Sequence, residues 1–198
     1  MMPPTDALAL MGLTLAALAG VASTRLAARS PKRRLMFLYA AVAAALWLPW
    51  QGLPLVAYVR GLSADLSVTT LVLAFYAACR PFFPALRVAA RERRVLQYAL
   101  ALTALVFYPL ALGVGTFDPY RLGFGEPVFL SALFLLALAA WWRRFHFVAA
   151  CLALAVLAWA GGWRESGNLW DALLDPWISL YALGALARRA MARGAADG

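Results

Sequence analysis

The sequence is poor in charge: 14% of its 198 residues are Asp, Glu, Lys or Arg, against roughly 25% in a soluble domain. It is also poor in the residues that build reactive centres. The two cysteines, Cys79 and Cys151, both fall inside apolar runs, where a free thiol behaves as a small hydrophobe. They offer neither a disulfide framework nor a zinc spacing. The one histidine, His146, excludes a haem held between two histidines of this chain and leaves a Ser-His-Asp arrangement a single candidate base. The one lysine, Lys32, sits in a basic loop, so no apolar run holds an amine for a retinal Schiff base. No GxxxxGK[ST] stretch occurs, and the GxG within LGFG at 122–125 lacks the helix pattern that would give it meaning. No cofactor and no metal ligand set is expected.

What the sequence has is apolar length. Sixty-five per cent of the residues are hydrophobic and the mean hydropathy is +0.76. Seven runs approach the 20 or so residues that cross a bilayer: 6–24, 35–56, 66–86, 95–116, 127–142, 145–163 and 170–187. They do not alternate, which excludes a membrane β-barrel, and hydrocarbon demands that a span satisfy its own backbone, which leaves helices. The first run has Asp6 and no Lys or Arg before it, and RLAARSPKRR directly after it. It reads as a retained helix, not a secretory signal.

The eighteen cations then sort by side. Arg25 to Arg34, Arg87 to Arg94, Arg143, Arg144, Arg188, Arg189 and Arg193 fall in alternate connections, while Arg60, Arg121 and Arg164 fall in the others. Arg80 alone lies within a run. Asp6, Asp65, Asp118, Glu126, Glu165, Asp171 and Asp175 share the side of the three isolated arginines, leaving Glu92 and Asp197 opposite. The expected fold is an all-α integral membrane protein, one compact domain over 1–198 of about seven transmembrane helices, N-terminus outside and C-terminus cytoplasmic. The Ala, Leu and Arg richness suits a bacterial chain, hence the inner membrane. The pI of about 10.4 is on this reading a topology signal and an attraction to anionic lipid, not a sign of nucleic acid.

Proline marks the departures from ideal spans. Pro49 and Pro54 interrupt the second run, Pro81 and Pro84 the third, and Pro176 suits the first turn of a last helix that follows a short one from Leu169. Gly12, Ala16 and Gly20 form a small-residue ridge on the first run, suited to close helix contact. Arg80 can snorkel to the headgroups or hold a lipid phosphate.

The outer loops carry the candidate site. Each joins one arginine to acids and aromatics: YVRGLSADLS, TFDPYRLGFGEP and WRESGNLWDALLDPW. If they converge, Arg60, Arg121 and Arg164, with Tyr120 and Trp170 as walls, would bind a substrate or partner. Asp171, Asp175, Asp118 and Glu126 would be the candidate acids, bases or proton carriers. Asp171 and Asp175, four apart, would share a face of a continuous helix. The competing structural reading makes Asn168 an N-cap with Asp171 in the first turn, and the aromatics interfacial anchors. The favoured expectation is a non-enzymatic accessory or scaffold subunit of an inner-membrane assembly, with membrane lipids and other membrane proteins as partners. The alternative is an enzyme or carrier for a lipid-linked or amphipathic substrate at the outer face.

Overall fold

The computed structural model describes residues 4–197, with side chains described for 5–192. The chain is all-α, about 74% helical, with ten α-helices among the described residues: α1 Pro4–Ala22, α2 Arg25–Arg29, α3 Lys32–Leu46, α4 Leu55–Ser63, α5 Val68–Cys79, α6 Ala90–Ala111, α7 Pro127–Trp142, α8 His146–Ala160, α9 Leu169–Leu173 and α10 Pro176–Asp197. A 3-10 helix, Pro119–Phe124, lies between α6 and α7. Two strands of two residues each, β1 Pro49–Trp50 and β2 Leu53–Pro54, pair antiparallel across a tight turn. Gln51 and Gly52 hold φ of 48° and 90° in that turn, the left-handed pair that suits a two-residue hairpin.

Two helices, Thr5–Ala22 within α1 and Ala90–Ala111, are long and apolar enough to cross a membrane; Val68–Cys79, Pro127–Trp142 and His146–Ala160 are apolar but shorter. The run at 35–56 is not one helix. It divides into α3, the hairpin and α4, because Pro49 removes a backbone donor and disfavours the helical conformation at Leu48. The run at 66–86 yields only the twelve residues of α5, which stop at Arg80 before Pro81. The run at 170–187 is split as well: Leu174 is extended, with φ −141° and ψ 139°, and α10 begins afresh at Pro176.

The helices pack α1 on α5, α6 on α10 and α7 on α8, with α5 and α9 also against α8. Their contacts are rich in alanine. Ala19, Ala74 and Ala78 join α1 to α5, and Ala101, Ala104 and Ala182 join α6 to α10 around Leu96, Leu100 and Ile178. Small residues let helix backbones approach closely. Gly12 belongs to that contact, since a Cβ there would lie 2.8 Å from the Leu71 side chain.

Polar contacts collect at two ends of the bundle. At one end Lys32 donates to the Phe82 carbonyl, Arg91 lies 5.4 Å from the Phe145 ring centroid, and Arg189 donates to Gln97. There buried Glu92 accepts from the backbone N–H groups of Phe147 at 2.6 Å and Val148 at 3.2 Å, placing an anion at the positive N-terminus of α8. The other end holds Asp6, Arg60, Asp65 and Glu165. The side chains of Arg193 and Asp197 lie outside those described.

Between the ends the surface is greasy. In α7 only Leu133 is buried, while Phe134, Leu135, Leu136, Trp141 and Trp142, the last 84% exposed, face outward.

Candidate functional site

The end bearing Arg60 is built from the caps of five helices. Arg60, in the last turn of α4, donates from Nη1 to Asp6 at 2.6 Å, from Nε to Asp65 at 2.7 Å and from Nη2 to Glu165 at 2.9 Å. Ala64, with φ 57°, ends α4 and reverses the chain so that Asp65 faces back to Arg60. The hydrogen bonds to Asp65, and then to Asp6, hold the guanidinium above the ordinary arginine range. The Glu165 arm is 72% exposed and so contributes little.

Asp175 is 5% exposed and its oxygens are occupied. Oδ1 accepts from the Ile178 N–H at 2.8 Å, capping α10, and Oδ2 accepts from the Ser67 N–H at 2.7 Å and from the Thr70 hydroxyl. One carboxylate thus ties the N-terminus of α5 to that of α10. Asp171 accepts from the hydroxyls of Tyr120, at 3.0 Å, and Ser166. The helical face expected to unite Asp171 and Asp175 is absent, because α9 ends between them at Leu173.

The polar stretch TFDPYRLGFGEP docks on α9. Asp118 caps the 3-10 helix by accepting from the Tyr120 N–H, and Gly125, at φ 92°, closes it in the left-handed conformation open to glycine. Asn168 caps α9 through the Trp170 N–H and donates to the Tyr120 carbonyl at 2.9 Å, while Trp170 Nε1 donates to the Pro119 carbonyl at 2.8 Å. The fit requires Gly123: a Cβ there would fall 1.8 Å from Asn168 Oδ1. Burial, and then the bond to the Asp171 carboxylate, raises the Tyr120 phenol above its usual range.

A cavity of about 990 Å³ opens beside these caps, over a floor that includes Leu10, Phe107 and Leu174. Arg60 and Arg164 line it, with Asp6, Asp65, Glu165, Asp171 and Asp175. Two guanidiniums against five carboxylates leave it acidic, where the sequence suggested an arginine grip on an anion. Arg164 donates to the Leu66 carbonyl, and its buried Nε has no partner. Burial pulls this guanidinium below the ordinary arginine range, against the opposing pull of Asp65, Asp171 and Asp175.

Of the residues singled out in the sequence, Arg60, Arg164, Asp171 and Asp175 meet at this cavity. Arg121, Asp118 and Glu126 do not: all three are exposed on the loop and none lines it. Tyr120 and Trp170 stand behind Asp171, with Trp170 stacked 4.6 Å from Phe129 and tilted at 34° to Phe107, 4.4 Å away. Sequence reasoning did not find Ser67 and Thr70. The break before α5 with a serine cap was the available signal, since Ser67 also accepts from the Thr70 N–H.

Comparison of the chain with protein-family models, with curated proteins and with solved structures finds no match. Function must be argued from the geometry.

Proposed function

We propose that this chain is a multi-pass inner-membrane protein of about seven helices, N-terminus outside, that serves as a non-enzymatic accessory or scaffold subunit of a membrane assembly. Its outer end is a clasp and not a reaction centre. The observation that carries this reading is the full engagement of Arg60 and Asp175. Arg60 spends its guanidinium on three carboxylates, and Asp175 receives three donors, two from the N-terminus of α5 and one from its own helix. A general base needs a lone pair free to meet its substrate's proton, and these groups are engaged in holding helices.

Membrane placement is supported by the two long apolar helices, by the outward-facing apolar side chains of α7, and by the gathering of polar contacts at opposite ends. Soluble monomers rarely leave so much contiguous apolar surface uncovered. The short α5 and α7 are compatible with spans if the bilayer thins locally or flanking side chains snorkel.

A second reading is favoured by one observation, the cavity of about 990 Å³ containing an unpartnered Arg164 Nε. It makes the chain a carrier or enzyme for a lipid-linked or amphipathic substrate. Native mass spectrometry after gentle detergent extraction separates the two. The scaffold reading expects a second membrane polypeptide in stoichiometric amount, retained in Arg164→Gln. A small amphipathic molecule retained in its place, and lost in Arg164→Gln, would replace it with the carrier reading.

A further inference from the structure

A second cavity runs between α1, α5, α6 and α10, from Thr70 and Ile178 beside the outer clasp to Arg80 and Arg93 at the opposite end. It holds about 350 Å³. Its walls are small or apolar, including Ala16, Gly20, Ala77 and Leu100, and it carries Arg80, Arg93 and Gln97. No Asp or Glu lines it. Arg80 and Arg93 are exposed and form no ion pair among the described residues. From Thr70 to Arg80 it follows ten residues of chain, about 15 Å at a helical rise, long enough to take an acyl chain reaching in from the arginines. Its arginines lie at the end of the bundle where Glu92 caps α8, the end rich in cations.

We propose that this groove binds one anionic phospholipid of the cytoplasmic leaflet, with an acyl chain along the alanine and leucine walls and the phosphate held by Arg80 and Arg93. Two guanidiniums without carboxylate partners suit a phosphate, which accepts charge-assisted hydrogen bonds from both. An apolar slot ending in two cations matches the two halves of a lipid. The same end holds a third arginine: Arg189 donates to Gln97, and its buried Nη1 has no partner. The inference rests on the membrane placement but not on the scaffold role.

Gly20 supplies a clean test. It lines the groove, and a Cβ added there meets nothing within 4 Å, so Gly20→Phe starts from open space and sets a ring at the slot. The delipidated protein in detergent is titrated with phosphatidylglycerol and with phosphatidylcholine of the same chains, and bound lipid is counted by native mass spectrometry. The wild type is expected to bind one phosphatidylglycerol about tenfold more tightly than phosphatidylcholine, and Arg80→Gln with Arg93→Gln to erase that preference. Gly20→Phe should weaken phosphatidylglycerol by about tenfold at an unchanged melting midpoint. Equal affinity for the two lipids in the wild type overturns the proposal, as does a preference that survives the double arginine change or wild-type binding by Gly20→Phe. If Gly20→Phe lowers the melting midpoint, the arginine pair decides alone. The membrane placement fails by a different sign, release of the chain from membranes by alkaline carbonate.

Discussion

At the scale of single residues, the outer end depends on atoms with several partners each. Asp175→Ala strands the Ser67 N–H, the Thr70 hydroxyl and the Ile178 N–H. A lost helix cap and buried unpaired donors together cost about 2–4 kcal/mol, so the melting midpoint in detergent should fall by several degrees. Gly123→Ala drives a methyl into Asn168 Oδ1 and should cost about 1–3 kcal/mol; an unchanged midpoint would show that the loop does not dock as described. Tyr120 makes a claim about pH. Its phenol is raised by burial and by Asp171, so the stability it contributes is complete below the ordinary phenol range and is lost as pH rises through the higher folded value. Wild type should therefore lose melting temperature more steeply than Tyr120→Phe in alkaline buffer, and an ultraviolet titration should show one late-ionising tyrosine fewer in Tyr120→Phe than in the wild type.

At the scale of elements, proline and glycine decide where helices stop, and hydropathy does not see them. The run expected over 127–142 coincides with α7, Pro127–Trp142, because Pro127 starts it at the first helical turn and no breaker follows until Arg143. The run at 35–56 reads as equally apolar, yet Pro49 ends the helix and Gly52 turns the chain into a hairpin. Gly52, at φ 90°, should resist substitution: Gly52→Val is expected to destabilise by about 1 kcal/mol or more, because an L side chain there is strained. Thermal unfolding of that single variant checks it. The caps were legible where they were local, as with Asn168 before Trp170. The partners of Arg60 were not, since Asp6 and Glu165 lie 54 and 105 residues away in sequence. Loop composition announced that acids and arginines share an end of the molecule, but only packing shows that Arg121, Asp118 and Glu126 stay outside the cavity.

For the whole molecule, the proposed membrane placement makes one claim: the apolar surface of α7 meets lipid, the Arg60 end faces outward, and the cation-rich end faces the cytoplasm. Arg60→Gln should loosen α1 from α4 and the Glu165 loop together, with faster amide exchange in both the N-terminal turn of α1 and residues 60–66. The measurement that tests the claim most directly places single cysteines by Arg121→Cys, Phe134→Cys and Ala190→Cys in a chain whose Cys79 and Cys151 are alanine, and labels whole cells with a membrane-impermeant thiol reagent. All three positions are exposed in the structure, so exposure alone does not distinguish them. The account expects label at 121 in intact cells, at 190 only after permeabilisation, and at 134 in neither case. Label at 190 from outside, or ready labelling at 134, would contradict it.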